Sequence, residues 1–125
     1  MKPKIYHIVS FDDWNAAQTK AEYKPRQFET EGFIHCSYVH QLSSVANRLF
    51  HGQNNLLLLV IDCSIINSNI IDENLEGGLE LYPHLYGGLP LNAVAEVIPF
   101  SCNVDGSFSL PNKLKAEVKN PEQIE

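Results

Sequence analysis

The sequence predicts an α+β protein built on a curved sheet that is mixed or mostly antiparallel. Segments with strand-like composition outnumber helical segments, and the two clear helical patterns both fall in the first half of the chain. This order is typical of the α+β class. A length of 125 residues allows one domain, and a hydrophobic fraction of 44% is enough for one core.

Two early segments predict the helices. The first spans about Phe11–Lys20, because Ser10 can cap it and acidic residues follow in its first turn. The second spans Leu42–Phe50, where apolar residues recur with the best helical spacing in the chain. Gly52 then supplies a C-terminal stop.

Short runs rich in β-branched, aromatic or aliphatic residues predict the strands. The run Leu56–Asp62 is continuous rather than alternating, which is typical of a strand buried on both faces. The pair Asp105-Gly106 is a hairpin signal, so Phe108 and Leu110 are expected on a short return strand. The other predicted strands are Lys4–Val9, Gly32–Ser37, Ile70–Glu73 and Val94–Phe100.

Two segments are predicted to lack regular structure. Residues 79–89 are rich in proline, glycine and aromatic side chains, so we expect a loop there. From Asn112 onward the composition is polar and charged. We therefore expect a single domain over residues 1–111 and a polar C-terminal tail over residues 112–125, loosely held or only locally helical.

The charge disfavours several classes of partner. Nine basic against fifteen acidic residues give a net charge of −6, whereas proteins that bind nucleic-acid backbones are normally basic. An acidic surface also disfavours anionic membranes, and the longest apolar run, Leu56–Ile61, is too short to span a bilayer. The segment Met1–His7 lacks the apolar core of a signal peptide. We expect a reduced, cytoplasmic, soluble protein with a small-molecule ligand.

Cysteine and histidine spacing predicts no metal site. The three cysteines form no C-x-x-C pair, so neither a disulfide framework nor a zinc module is expected. No H-x-H or H-E-x-x-H spacing occurs. Cys36 is expected to be buried and inert, because a strand would point it away from the adjacent His35.

Histidines with polar or aromatic neighbours form the candidate site. His35 and Ser37 are two residues apart, so a strand would place them on the same face. Tyr82 and Tyr86 flank His84, a composition that suits either a ring-stacking pocket wall or a packed structural turn.

Three glutamates, Glu73, Glu76 and Glu80, are the carboxylates nearest to this aromatic segment. Most such acids are solvated surface groups. Glu80 precedes His84 by four residues and is the one selected as a candidate site residue.

A series of short motifs extends along most of the chain: Ile5–Ile8, Glu31–Ser37, Gln41 with Ala46–Arg48, Leu58–Asp62, Pro83–Gly87 with Leu89–Leu91, and Asp105–Phe108. In this order they closely resemble the domain-of-unknown-function 952 family of small bacterial and plant proteins. The resemblance covers about residues 2–111. The F-I-H-C-S and P-H-L-Y-G segments make it specific.

The resemblance implies a fold but no established activity. The fold is similar to that of the ADP-ribosyltransferase superfamily, in which a split, strongly bent sheet holds NAD in a cleft between its halves. RNA 2′-phosphotransferases are more distantly similar, and in them a first-strand histidine and a later histidine-x-serine segment line the NAD or phosphate site. His7 and the segment His35–Ser37 match these positions. Those enzymes hold phosphates with several arginines, whereas this chain has only Arg26 and Arg48, which disfavours an RNA substrate.

The resemblance leaves two functions open. One is NAD-dependent ADP-ribosyl transfer or NAD glycohydrolysis, with NAD as cofactor. Glu80 would stabilise the positive charge that develops on the ribose, and His35 would position phosphate or acceptor. The residues assigned to NAD binding are His7, Ser37, Arg48, Tyr82, His84 and Tyr86.

The alternative is a non-catalytic module that binds a small ligand, such as a nucleotide fragment, in the same cleft. A carboxylate inside the cleft beside the histidines would favour the enzyme, because a developing ribosyl cation needs one nearby.

Overall fold

The computed structural model describes residues 4–75 and 77–124, so that Met1–Pro3, Glu76 and Glu125 lie outside it. Within these ranges the strands are β1 Ile5–Ser10, β2 Glu22–Tyr23, β3 Ile34–His35, β4 Leu56–Ile61, β5 Asn69–Glu73, β6 Tyr82–Tyr86, β7 Leu89–Pro90 and β8 Val94–Phe100. The helices are α1 Phe11–Ala17, α2 Phe28–Glu31, α3 Leu42–Leu49 and α4 Asn112–Ile124. The strand pairs are antiparallel, which confirms the α+β class.

Strand β4 is the centre of the first sheet, whose strand order is β1-β4-β8. Its alternate residues face two separate hydrophobic clusters. Leu59 and Ile61 belong to the first core, whereas Leu56, Leu58 and Val60 belong to the second core. The predicted burial on both faces is confirmed, and it explains why the run is apolar without alternation.

A second sheet has the order β3-β6-β5 and is joined to the first through one residue pair. The backbone N–H of Tyr6 donates to the carbonyl of Ser37 at 2.8 Å, and the N–H of Ser37 donates to the carbonyl of Tyr6 at 2.8 Å. Ser37 lies two residues beyond the end of β3 at His35, and side chains of both sheets also belong to the first core. Strands β2 and β7 pair separately.

The two predicted early helices are present, with small differences in length. Ser10 caps α1 by accepting from the N–H of Asp13 at 3.0 Å, as expected. The helix ends at Ala17 rather than Lys20, because the chain turns into β2. Helix α3 turns its apolar stripe onto the second core, where Leu42 and Ala46 are fully buried.

Residues 82–86, predicted as part of a loop, form the central strand of the second sheet. The prediction was wrong because proline is rare in central strands, where it cannot donate to a ladder. Pro83 is accommodated since its carbonyl accepts from the N–H of Cys36 at 3.1 Å and its nitrogen needs no partner.

The expected return strand at Phe108 and Leu110 is absent, since the structure has no strand after Phe100 among its described residues. The side chain of Asn47 takes the place of a partner strand. Its Oδ1 accepts from the N–H of Phe108 at 2.6 Å, and its Nδ2 donates to the carbonyl of Phe108 at 3.3 Å. Phe108 then packs on Phe100 with ring centroids 5.0 Å apart.

The segment expected as a polar tail is helical and packs on the second core. Leu114 of α4 is buried, and the hydroxyl of Tyr6 donates to Glu117 Oε1 at 3.0 Å. Lys113 also pairs with Glu96 of β8. None of the helices within residues 4–75 and 77–124 is both long and apolar enough to cross a membrane.

Replacing Leu58 in the central strand should be costly. Leu58 is 0% exposed, so Leu58→Ala removes buried methyl groups and leaves a cavity. We expect the free energy of unfolding to fall by about 2–5 kcal/mol in urea titrations. The control is Val104→Ala, because Val104 is fully exposed. Equal stability of the two variants would contradict the placement of Leu58.

Candidate functional site

A cavity of about 420 Å³, called the cleft below, lies where β1 meets the chain that follows β3. Apolar side chains of α3 and its end, including Val45, Leu49 and Phe50, form part of its wall. The polar side chains that line it include His7, Asp13, Arg26, Glu31, His35 and Ser37. The cleft thus combines an apolar surface with groups of both charges.

His7 is a buried histidine of this lining and is held in one tautomer. Its Nδ1 lies 2.6 Å from the carbonyl oxygen of His35, which can only accept, so Nδ1 carries the proton. Its Nε2 therefore accepts, and the hydroxyl of Tyr23 donates to it at 3.0 Å. The ring thus ties β1 to both β3 and β2.

Burial determines the charge of this pair. The cost of desolvating a cation lowers the pKa of His7 from 6.5 to about 4, against the opposing effect of the His35 carbonyl. Burial likewise raises the pKa of the Tyr23 hydroxyl. Both side chains are neutral near pH 7, so His7 contributes ring surface and shape to the cleft rather than charge.

Glu31 supplies a carboxylate in the cleft that the sequence analysis did not select. Its Oε1 lies 3.0 Å from Nε2 of His35, and both side chains are partly exposed at the rim. Gly32, at φ 82°, ends α2 and reverses the chain between the two residues. The signal in the sequence was the glutamate that opens the E-G-F-I-H segment.

Glu80 lines neither the cleft nor the pocket beside it. Its Oε1 accepts from Nε2 of Gln41 at 2.8 Å. Gln41 is buried, and it also donates to the carbonyl of Leu81 at 2.9 Å and accepts from the N–H of Tyr38 at 2.9 Å. These contacts make Glu80 part of the anchor between the turn before α3 and the segment before β6.

A smaller pocket of about 100 Å³, called the side pocket, adjoins the cleft and shares His35 and Ser37 with it. Three further predicted site residues line it: Arg48 from α3, and Tyr82 and His84 from β6. The cleft and the side pocket together contain six of the eight predicted residues.

Tyr86 lies outside both spaces but acts on one of them through Glu73. Glu73 Oε1 accepts from the hydroxyl of Tyr86 at 2.6 Å and from Nδ1 of His84 at 2.9 Å. The hydrogen bond from Tyr86, and after it the one from His84, holds the pKa of Glu73 below its ordinary value, and the bond to Glu73 raises the pKa of Tyr86. Glu73 is therefore an ionised partner of His84, a contact that the sequence analysis did not predict.

Cys36 is buried as expected, and burial raises the pKa of its thiol. It is therefore a poor nucleophile. Across the described ranges, no group of three or more His, Cys, Asp and Glu side chains converges in a way that could hold a metal ion.

Comparison with known proteins decides the family. The model of the family described as protein of unknown function (DUF952) matches residues 8–97. This chain belongs to the DUF952 family. No curated protein matches it at a significant level.

Two solved structures of protein CC0527 from Caulobacter crescentus are similar to this DUF952 chain. The crystal structure is 30% identical with a TM-score of 0.79, and the alignment covers 89% of this chain and 97% of that chain. The solution NMR structure is 30% identical with a TM-score of 0.78, and covers 90% and 97%. The DUF952 fold of this chain is thus shared over nearly its whole length.

The buried His7 should make stability pH-dependent. In the unfolded chain His7 binds a proton below its ordinary pKa of 6.5, whereas the folded protein does not accept it until about pH 4. The stability that arises from this difference in proton binding is therefore fully present above pH 6.5. The free energy of unfolding should fall by about 3 kcal/mol as the pH decreases to 4. Urea titrations across this range measure it.

The matched variant is His7→Asn, whose amide can still donate to the His35 carbonyl but does not titrate. Subtracting its pH profile from that of the wild type removes the contribution of carboxylates. Parallel profiles for the two proteins between pH 6.5 and 4 would show that His7 is not buried as a neutral ring.

Proposed function

We propose that this DUF952 protein binds a nucleotide fragment of the NAD type in the cleft. The observation that carries the proposal is the cleft itself, about 420 Å³ with an apolar wall and convergent polar groups. Small-molecule sites have volumes of roughly 300–1,000 Å³ and the same mixture of surfaces. A nicotinamide riboside or ADP-ribose moiety matches this volume better than a whole dinucleotide does.

The arrangement of the sheets supports an ADP-ribosyltransferase-like classification, which is part of the proposal. Tyr6 of the first sheet pairs with Ser37, which follows the second sheet's β3, and both residues line the cleft. His7 and Ser37 come from opposite sides of it. The resemblance implies a split sheet that holds its ligand in a cleft between the two halves.

Charge on one side of the cleft suits a single phosphate group. Arg26 lines the cleft, and Lys20 and Lys24 line the adjoining surface with it. Lys24 also lies over the ring of Phe28, with Nζ 5.4 Å from the centroid. Lys24 pairs with Glu22 at 3.9 Å, and Asp13 and Glu22 share the adjoining surface, so Arg26 is the cation that an anionic ligand end in the cleft can meet. We also propose a cytoplasmic location, supported by the lack of a cysteine framework.

Cleavage of NAD, by glycohydrolysis or ADP-ribosyl transfer, is the second candidate function. It is favoured by the Glu31 carboxylate, which lies in the cleft beside His35. Breaking the nicotinamide–ribose bond builds positive charge on the ribose, and a nearby carboxylate stabilises that charge. We therefore propose Glu31 for this role in place of Glu80.

Binding should raise the melting temperature. Unfolding followed with and without about millimolar NAD, ADP-ribose or nicotinamide reports binding to the folded state, because a ligand present at 100 times its Kd stabilises by about 2.7 kcal/mol. We expect NAD or ADP-ribose to stabilise the protein. No shift with any of the three compounds would refute the proposal.

Nicotinamide release measured in variants of Glu31, Glu29 and Glu80 tests whether the protein cleaves NAD and which carboxylate is needed. Proton NMR of the same samples detects free nicotinamide. If the protein cleaves NAD, Glu31→Gln should lower the rate about 10²-fold or more, because it removes the charge beside the ribose. Glu29→Gln is the matched control on α2, since Glu29 does not line the cleft. Loss of activity in Glu80→Gln but not in Glu31→Gln would return the assignment to Glu80.

A further inference from the structure

Three neighbouring side chains hold the ring of His84 in place in the second sheet. Its ring stacks on Phe33 with centroids 4.3 Å apart and planes 14° apart. The ring of its cross-strand partner His35 meets it edge-on at 5.1 Å. Only 2% of His84 is exposed, so its ring has little freedom to rotate. Such a rigid ring can present one nitrogen in a fixed direction.

Glu73 determines which of the two ring nitrogens of His84 carries the proton in the neutral ring. Its carboxylate lies 2.9 Å from Nδ1 of His84 and also accepts from Tyr86, so it is an ionised acceptor. In the neutral imidazole the proton therefore lies on Nδ1, and Nε2 keeps its lone pair. A carboxylate that holds histidine in this tautomer is the arrangement that general bases use.

The side pocket brings that lone pair close to the cleft. His84 lines the pocket, and with Nδ1 committed to Glu73, Nε2 is the ring nitrogen left for a pocket occupant. The pocket has room for several water molecules at about 100 Å³, and Ser37 and Tyr82 add polar groups to its lining. Since Ser37 and His35 also line the cleft, an occupant of the pocket adjoins a ligand in the cleft.

We propose that the side pocket is the acceptor subsite of the cleft, where His84 takes the proton of an attacking water molecule and Glu73 positions the ring. This inference rests on the proposed NAD binding and on its cleavage. His84 is the catalytic residue, because it touches the reacting water. Glu73 is a positioning residue that acts through His84.

The step balances without any further reactant. The bond between the ribose C1′ and the nicotinamide ring nitrogen breaks, and its electron pair converts the cationic ring to neutral nicotinamide. The water oxygen forms the new bond to C1′. Its proton passes to Nε2 of His84 and from there to solvent.

The test compares nicotinamide release and NAD-dependent melting in the wild type, Glu73→Gln and Asp72→Asn. Asp72 is the matched control, because it lies in the same strand and accepts from a tyrosine, Tyr38, at 2.6 Å. Glu73→Gln places an amide against Nδ1 that can reverse the tautomer. We expect it to lower the rate about tenfold or more while NAD still raises the melting temperature. Asp72→Asn should stay within about twofold of the wild type.

Nitrogen-15 NMR of His84 reports the tautomer directly, and a merely structural Glu73 would not affect it. We expect an unprotonated Nε2 in the neutral wild type and a protonated one in Glu73→Gln. His84→Asn, which lacks Nε2, should lose about 10²-fold in rate.

The outcomes separate the inference from the proposed function. Wild-type protein that NAD stabilises without nicotinamide release overturns the inference and leaves the binding function. Release that is equally fast in Glu73→Gln overturns the inference and leaves NAD cleavage. No stabilisation and no release overturn both. A protonated Nε2 in the neutral wild type overturns the inference even if both variants fail to fold.

Discussion

The cleft lies where a backbone bridge between Tyr6 and Ser37 joins strand β1 to the chain that follows β3. Tyr6 and Ser37 exchange both of their backbone hydrogen bonds, each 2.8 Å long. His7, the residue after Tyr6, adds a hydrogen bond from Nδ1 to the carbonyl of His35, two residues before Ser37. The cleft is lined by residues on both sides of this junction, so the junction helps to fix the positions of the polar groups attached to it.

The features that the sequence predicted well are those whose cause is local. Strand β4 is continuous and apolar because its successive residues enter two different cores, and that pattern is visible in the sequence. Helix α3 has its apolar residues on one stripe, and Ser10 caps α1. Each of these patterns lies within one element, so no knowledge of distant contacts was needed.

The features that were missed depend on contacts between distant segments. Strand β6 contains Pro83 and precedes two glycines, so its composition indicates a loop, and only its two neighbouring strands make it a strand. The carboxylates were missed for the same reason. Glu73 of β5 contacts His84 of the adjacent strand β6. Glu31 reaches His35 only because the chain reverses at Gly32. Glu80 is nearer to His84 in sequence, yet Gln41 holds it elsewhere.

The bond that anchors His7 ends on a backbone atom of residue 35, not on its side chain. Any amino acid at position 35 supplies that carbonyl, so the hydrogen bond to His7 does not depend on the side chain of residue 35. The imidazole of His35 lines both the cleft and the side pocket, whereas its backbone carbonyl accepts the hydrogen bond from His7. A substitution at position 35 can thus change the side chain presented to both spaces and keep the hydrogen bond that anchors His7.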